Sequence, residues 1–216
     1  MTPAGGPTAT PKPRTQRRFP LPRGLSSFRH RNYRLYYAGQ LISVTGTWMQ
    51  TLAQSWLILS LTTSAFMLGL VSVFQFAPVL ILGLVGGVAA DRFPKRTTLV
   101  FTKAAAGMVS ATMAILTVTG VVRIWHVYAL ALILGMVNAF DMPARQAFVV
   151  EMVGPDDLTN AIALNSSLFN AARIVGPAVA GVLLATVGTA ACFAIDAVSY
   201  IAVIGGMLMM RLQDRP

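Results

Sequence analysis

Leu82-Gly-Leu-Val-Gly-Gly-Val-Ala-Ala-Asp91-Arg92-Phe93-Pro94-Lys95-Arg96 is a run of small and apolar residues that ends abruptly at Asp91 and turns at once into a knot of positive charge. A soluble helix spreads its charges along an exposed face. Here they are confined to one short turn. Gly83, Gly87 and Asp91 fall at i, i+4 and i+8 and so share one helical face, on which the two glycines leave room for another helix to approach. The carboxylate then emerges where the apolar helix ends.

The surroundings explain the knot. Of 216 residues, 55% are hydrophobic and 11% charged, with a mean hydropathy of +0.65. A soluble domain carries about 25% charged residues, so this chain has too few to cover a globular surface. Helices that face lipid resolve the conflict. A crossing helix needs roughly 20 apolar residues, and six such spans are expected at 35–59, 65–90, 97–121, 125–149, 159–186 and 189–210. The connectors are short: "TTSA", "DRFPKR", "GVVRIW", "EMVGPDDLT" and "TVGTA". Lys103 falls within span three, where its long side chain is expected to snorkel.

The 17 Lys and Arg are distributed asymmetrically. Eight precede span one (Lys12, Arg14, Arg17, Arg18, Arg23, Arg29, Arg31, Arg34), and Arg92, Lys95, Arg96 and Lys103 follow span two. Arg145 lies near the end of span four, Arg211 and Arg215 follow span six, and Arg123 stands alone on the other side. The positive-inside rule then places both termini in the cytoplasm of a multi-pass cell-membrane protein. Topogenesis and anionic lipid account for the formal charge of +10, so no nucleic-acid partner is expected. Residues 1–31 read as a disordered basic cytoplasmic tail, rich in Pro, Thr and Arg up to residue 24, and 32–216 as the transmembrane bundle. The tail lacks the short apolar core of a secretory signal. The single Cys192 excludes an intrachain disulfide and a cysteine metal cluster, and His30 and His126 are isolated. With no phosphate loop, zinc-protease or nucleophile-elbow pattern, neither an enzyme nor a cofactor is expected.

The turn from Gly87 to Arg96 resembles the loop signature of the major facilitator superfamily: Gly, three small or apolar residues, Asp, a basic residue, an apolar residue, Gly, then two basics. Pro94 stands where that family prefers Gly. A second likeness lies in span five, where Gly176-Pro177 with Gly181 is similar to an element of proton-coupled exporters, Ala180 replacing one of its glycines. "NAFDMPARQAFV" around Asp141, with "NAARIVGP" around Arg173, resembles the branch containing enterobactin-type siderophore exporters and macrolide efflux proteins. The resemblance covers residues 30–210, half of the family's twelve spans. It implies a 3+3 inverted repeat, a loop from Gly83 to Arg96 that gates against a helix of the other half, and a cavity lined by spans one and four. It also implies proton-coupled export of a small organic compound by alternating access. The second wall would come from a missing C-terminal half or a second copy.

Polar residues inside the spans mark the expected path. Span one carries Thr47, Gln50 and Gln54; span four Asn138, Asp141 and Arg145; span five Asn165, Ser166, Asn170 and Arg173; and span six Asp196. Asp141 leads as proton carrier and Asp196 follows. Each has a plainer role open to it: Asp141 with Arg145 as an i,i+4 pair, Arg173 as a cation paired with Asp196 or Asp141, and Gln50 and Gln54 as interhelical glue. Trp48, Trp56 and Trp125 read as packing or interface anchors, and Asp156 and Asp157 as caps of span five. A non-transporting six-span scaffold or assembly partner is the alternative reading. An ABC-type membrane domain fits less well, because every connector is short.

Overall fold

In the computed structural model, residues 23–210 are described. They form a 3-10 turn, Arg23–Arg29, and then helices α1 (Arg31–Leu61), α2 (Ala65–Arg92), α3 (Lys95–Val118), a 63-residue helical stretch Ile124–Thr186, and a last helix Thr189–Leu208. No strand occurs among the described residues. The long stretch is interrupted at Gly154, whose φ of 71° and ψ of 177° are non-helical. Only glycine enters that region without strain. Its two arms are α4 (124–153) and α5 (155–186), and Thr189–Leu208 is α6. The expected nine-residue connector between spans four and five is therefore a kink inside helix rather than a loop. Pro155 directly after Gly154 lacks the N–H that a continuous ladder would need, which fixes the break there.

The other boundaries follow from local chemistry. Phe93 is extended (φ −103°, ψ 152°) because it precedes Pro94, and Pro94 in turn stands immediately before the first residue of α3. Pro94 in the loop signature thus ends one helix and starts the next. Gly188, at φ 94°, closes the α5 end by donating its N–H to the Leu183 carbonyl at 2.8 Å. Arg23–Arg29 is helical where a disordered tail was expected, while residues 1–22, including Lys12, Arg14, Arg17 and Arg18, and the C-terminal Arg211 and Arg215 lie outside the described residues.

Cross-helix contacts set the directions of the six arms. Tyr33 donates to the Ala161 carbonyl and Tyr37 to that of Leu164, so α5 runs parallel to α1. Tyr128 reaches the Met67 carbonyl, and Gly86 meets Ala139, so α4 runs parallel to α2. Gly39 faces Val203 while Gly46 faces Asp196 and Ser199, which makes α6 antiparallel to α1. Thr102 meets Asp141 and Lys95 meets Glu151, making α3 antiparallel to α4. Successive arms therefore alternate in direction. The approaches rely on missing side chains: a Cβ at Gly46 would sit 2.7 Å from Asp196 Oδ1, and one at Gly86 would collide with the Ala139 carbonyl oxygen.

By length and composition, four helices can cross a membrane: Ala65–Arg92, Lys95–Val118, Ile124–Thr186 and Thr189–Leu208. Large apolar side chains such as Leu80, Leu84, Phe101 and Ile174 are exposed, as lipid contact requires. The buried core lies between helices, with Tyr36 against Phe148 and Leu168 and Ala172 against Val44.

One end of the bundle carries a polar clasp. The Ser27 backbone N–H donates to Asn160 Oδ1 at 3.0 Å, Ser27 Oγ donates to the Asp157 carbonyl, and His30 Nε2 lies 2.9 Å from Asp157 Oδ2. Asp157, expected as a helix cap, instead ties the 3-10 turn to the kinked end of α5; Asp156 is exposed. Asp157→Ala should loosen this turn at His30, while the Ser27 bonds to Asn160 and to the residue-157 carbonyl remain. Amide hydrogen exchange across residues 26–30 is expected to accelerate while the bundle loses at most about 1 kcal/mol, the range of an exposed pair. Unchanged exchange there would count against the clasp.

Candidate functional site

The antiparallel packing of α3 on α4 brings Lys103 and Asp141 together. Lys103 Nζ is 3.0 Å from Asp141 Oδ2, and Thr102 Oγ1 donates to Oδ1 at 2.8 Å. Arg145, one turn along α4, places Nε 3.8 Å from the same Oδ2. Lys103 is 8% and Asp141 3% exposed. This corrects the expectation that Lys103 snorkels: it lies eight residues into α3, about 12 Å along the axis at 1.5 Å per residue, too deep for a polar exit when a carboxylate is in reach.

The cluster forms part of the wall of a cavity of about 350 Å³, within the range of small-molecule sites. Every arm contributes: Thr47 from α1, Gln75 from α2, Lys103 from α3, Asn138, Asp141 and Arg145 from α4, Phe169 from α5 and Tyr200 from α6. Tyr200 Oη lies 3.4 Å from Thr47 Oγ1. The Arg145 guanidinium stacks 4.9 Å from the Phe169 ring centre. Of the expected path, Thr47, Asn138, Asp141 and Arg145 come together here.

The other expected residues lie elsewhere. Gln54 is buried and accepts a hydrogen bond from Gln75 Nε2 at 3.0 Å, so it joins α1 to α2; Gln50, one turn before it, is buried but is not part of the cavity wall. Asn165 is half-buried, and the exposed Asn170 donates to the Ser166 carbonyl of its own helix. Asp196 is fully buried and is not part of the cavity wall, with Ser110 Oγ donating to Oδ2 at 2.6 Å and Oδ1 without a hydrogen-bond partner among the described residues. Arg173 pairs with neither Asp196 nor Asp141. It is exposed and stacks over Trp48 at 5.6 Å, because α5 presents that face to α1 and not to α6.

Sequence reasoning missed Thr102, Lys103, Tyr200 and the two aromatic platforms. Lys103 had a readable signal in its depth within an apolar helix. Trp48 and Phe169 had none, since an aromatic in a span is indistinguishable from packing until its neighbours are known.

In the gate loop, Asp91 and Arg92 are exposed. Lys95 Nζ lies 3.5 Å from Glu151 Oε2 at the end of α4, and Arg96 Nη2 donates to the Leu208 carbonyl at 2.9 Å. Arg96 thereby satisfies an orphan carbonyl at the C-terminus of α6. Gly83 and Gly87 have open space where a Cβ would project, while Gly86 between them makes the close contact with α4. In the helix-five element, a Cβ on Gly176 would lie 2.8 Å from the Thr45 carbonyl oxygen, so this glycine seats α5 on α1; Pro177 continues the helix and Gly181 faces open space.

An all-helical bundle among the described residues, with apolar side chains turned outward and charged side chains on a cavity wall, defines a multi-pass membrane protein. The sequence profile described as transmembrane secretion effector matches residues 23–216, and the chain belongs to this family of the major facilitator superfamily. Similar proteins include a staphyloferrin A transporter of Staphylococcus aureus, 27% identical over 166 residues, covering 76% of the chain and 42% of the relative. Macrolide efflux protein A of Streptococcus pyogenes is 28% identical over 163 residues, with 74% of the chain and 40% of the relative covered. The multidrug efflux pump Tap of Mycolicibacterium fortuitum is 28% identical over 153 residues, with 68% and 37% covered. The chain spans about two fifths of the length of these relatives. No solved structure matches it.

Proposed function

We propose that the chain is the six-span bundle of an exporter that moves a small organic compound out of the cell by alternating access, coupled to protons, with both termini cytoplasmic in the cell membrane. The observation that carries this reading is the buried Lys103–Asp141 pair, with the half-buried Arg145 beside it, on a cavity to which all six arms contribute. Burying ionisable groups inside an apolar bundle is costly, and such groups characteristically line a transport path. The relatives bear the names of a siderophore transporter, a macrolide efflux protein and a multidrug efflux pump.

Six passes and an inverted 3+3 repeat are supported by the packing. Exchanging α1 with α4, α2 with α5 and α3 with α6 turns the α2–α4 contact into α5–α1 and the α1–α6 contact into α4–α3. The α3–α6 and α1–α4 contacts map onto themselves. Because arm directions alternate, α1 and α4 are opposed, as an inverted repeat requires. The cytoplasmic orientation is supported by the clustering of Arg31, Arg34, Lys95 and Arg96 at the end that carries Asp91.

The remaining wall comes from a second bundle, either a further segment or a second copy, and Asp91 latches against it. Gly83 and Gly87 leave the face below Asp91 open to an incoming helix, and a carboxylate meeting a helix N-terminus stabilises that state by about 1–2 kcal/mol. In the twelve-span assembly, Asp91→Asn should therefore shift the population roughly tenfold toward inward-facing forms. Cysteine accessibility from the two membrane sides, measured alongside efflux, checks this. Normal insertion with wild-type accessibility and efflux would remove the latch. A stable assembly with no efflux of any substrate would favour the scaffold reading.

A further inference from the structure

We propose that Arg145 is the anion-binding residue of the cavity, taking a carboxylate of the bound compound, with the Phe169 and Trp48 rings as the platform for its flat apolar part. This rests on the cavity reading above and names its substrate class.

The charges on the cavity wall do not balance. Lys103 and Arg145 are opposed there by Asp141 alone. Asp141 is already engaged: Thr102 donates to Oδ1, and Lys103 takes Oδ2 at 3.0 Å. Arg145 Nε stands off at 3.8 Å, beyond hydrogen-bond reach, and among the described residues its guanidinium donates no hydrogen bond. Its side chain is only 17% exposed. A guanidinium has five N–H donors in a planar fork that matches a carboxylate, and leaving them unpaired at that depth is unfavourable. An oxyanion entering the cavity completes the set.

The aromatic neighbours complete the recognition element. Phe169 lies under Arg145, and Trp48, also on the cavity wall, carries Arg173 on its ring. Both rings pack on the same Val44–Leu168–Ala172 cluster. Arg173 is one turn beyond Phe169 on α5, so a second guanidinium stands on the same helical face. Rings that bear cations on one side offer apolar area beside positive charge, which suits an aromatic or unsaturated carboxylate and disfavours a cation.

The full chain in phosphatidylcholine nanodiscs tests this with benzoate and its neutral isostere benzamide, by calorimetry and tryptophan fluorescence. Benzoate should bind at least about tenfold more tightly than benzamide, and Arg145→Gln should erase that preference. Arg145→Lys, which keeps the charge and loses the fork, should retain part of it and controls for folding. Benzamide binding as tightly as benzoate, with Arg145→Gln without effect, overturns the anion site and leaves the cavity standing. Binding of neither probe, with no Arg145-dependent lipid signal, overturns the cavity reading as well. Adding phosphatidylglycerol separates the sources: if benzoate fails to bind in phosphatidylcholine while the anionic lipid gives a signal that depends on Arg145, the site holds a lipid head group and the substrate proposal falls.

Discussion

Asp141→Asn is expected to cost the bundle about 3–5 kcal/mol, the penalty for stranding one member of a buried ion pair. The asparagine keeps the shape and can still accept from Thr102, so packing is not what is lost. The loss is at Lys103, whose ammonium, among the described residues, has its one close carboxylate contact with Asp141, at 3.0 Å. Lys103→Met should cost less, because Asp141 keeps the Thr102 hydroxyl and Arg145 needs to move less than 1 Å from its 3.8 Å position to form a hydrogen bond. The double variant Asp141→Asn with Lys103→Met should recover the part of the loss that falls on Lys103, since replacing both partners of a buried pair is often close to neutral, while Arg145 still lacks its carboxylate. Equilibrium unfolding in mixed micelles, followed by circular dichroism, gives the three values and their coupling energy. A double variant no more stable than Asp141→Asn alone would mean that the pair does not hold α3 to α4.

The contrast between that pair and Asp196 explains which parts of the site were legible in the sequence. Local periodicity identified six helical segments, the turn at Asp91 and the α4 stripe, because these depend on residues a few positions apart. Asn138, Asp141 and Arg145 share a face through helical spacing alone, and they do meet at the cavity. The partner of Asp141 is 38 positions away, at Lys103, and that of Asp196 is 86 away, at Ser110. Such pairings are fixed by which helix lies beside which, and no local pattern encodes it. Arg173 went astray for the same reason: charge alone suggested Asp196 or Asp141, but α5 lies along α1, so Trp48 is what it meets. The expected connector at Glu151–Thr159 carries every composition cue of a loop. One positive-φ glycine with one proline makes the whole turn, and the flanking residues stay helical.

Within the stretch Leu82–Arg96, two adjacent glycines are expected to respond oppositely to the same change. A Cβ added at Gly86 would fall on the Ala139 carbonyl oxygen and close to the Phe140 Cα. Backbone cannot rotate away as a side-chain end does, so α2 and α4 must separate along their contact. Gly86→Ala should cost about 1–3 kcal/mol, in the range of overpacked cores, and Gly86→Leu more than that. Gly87→Ala meets nothing within 4 Å. It should be neutral or stabilise the isolated chain by roughly 0.5–1 kcal/mol, since alanine favours helix where glycine does not. The same holds for Gly83→Ala. The sign at Gly83 and Gly87 becomes informative once a second bundle is present: if a helix docks on that face beneath Asp91, both alanines should then lower efflux and weaken association while leaving the isolated chain intact. Parallel unfolding of the chain alone and efflux from the complete assembly therefore assign the glycines separately. A loss in the isolated chain would assign Gly86 to the α2–α4 contact, and a loss confined to the assembly would assign Gly83 and Gly87 to a contact between bundles. Equal tolerance of alanine at Gly86 and Gly87 in the isolated chain would remove the α2–α4 contact on which this division rests.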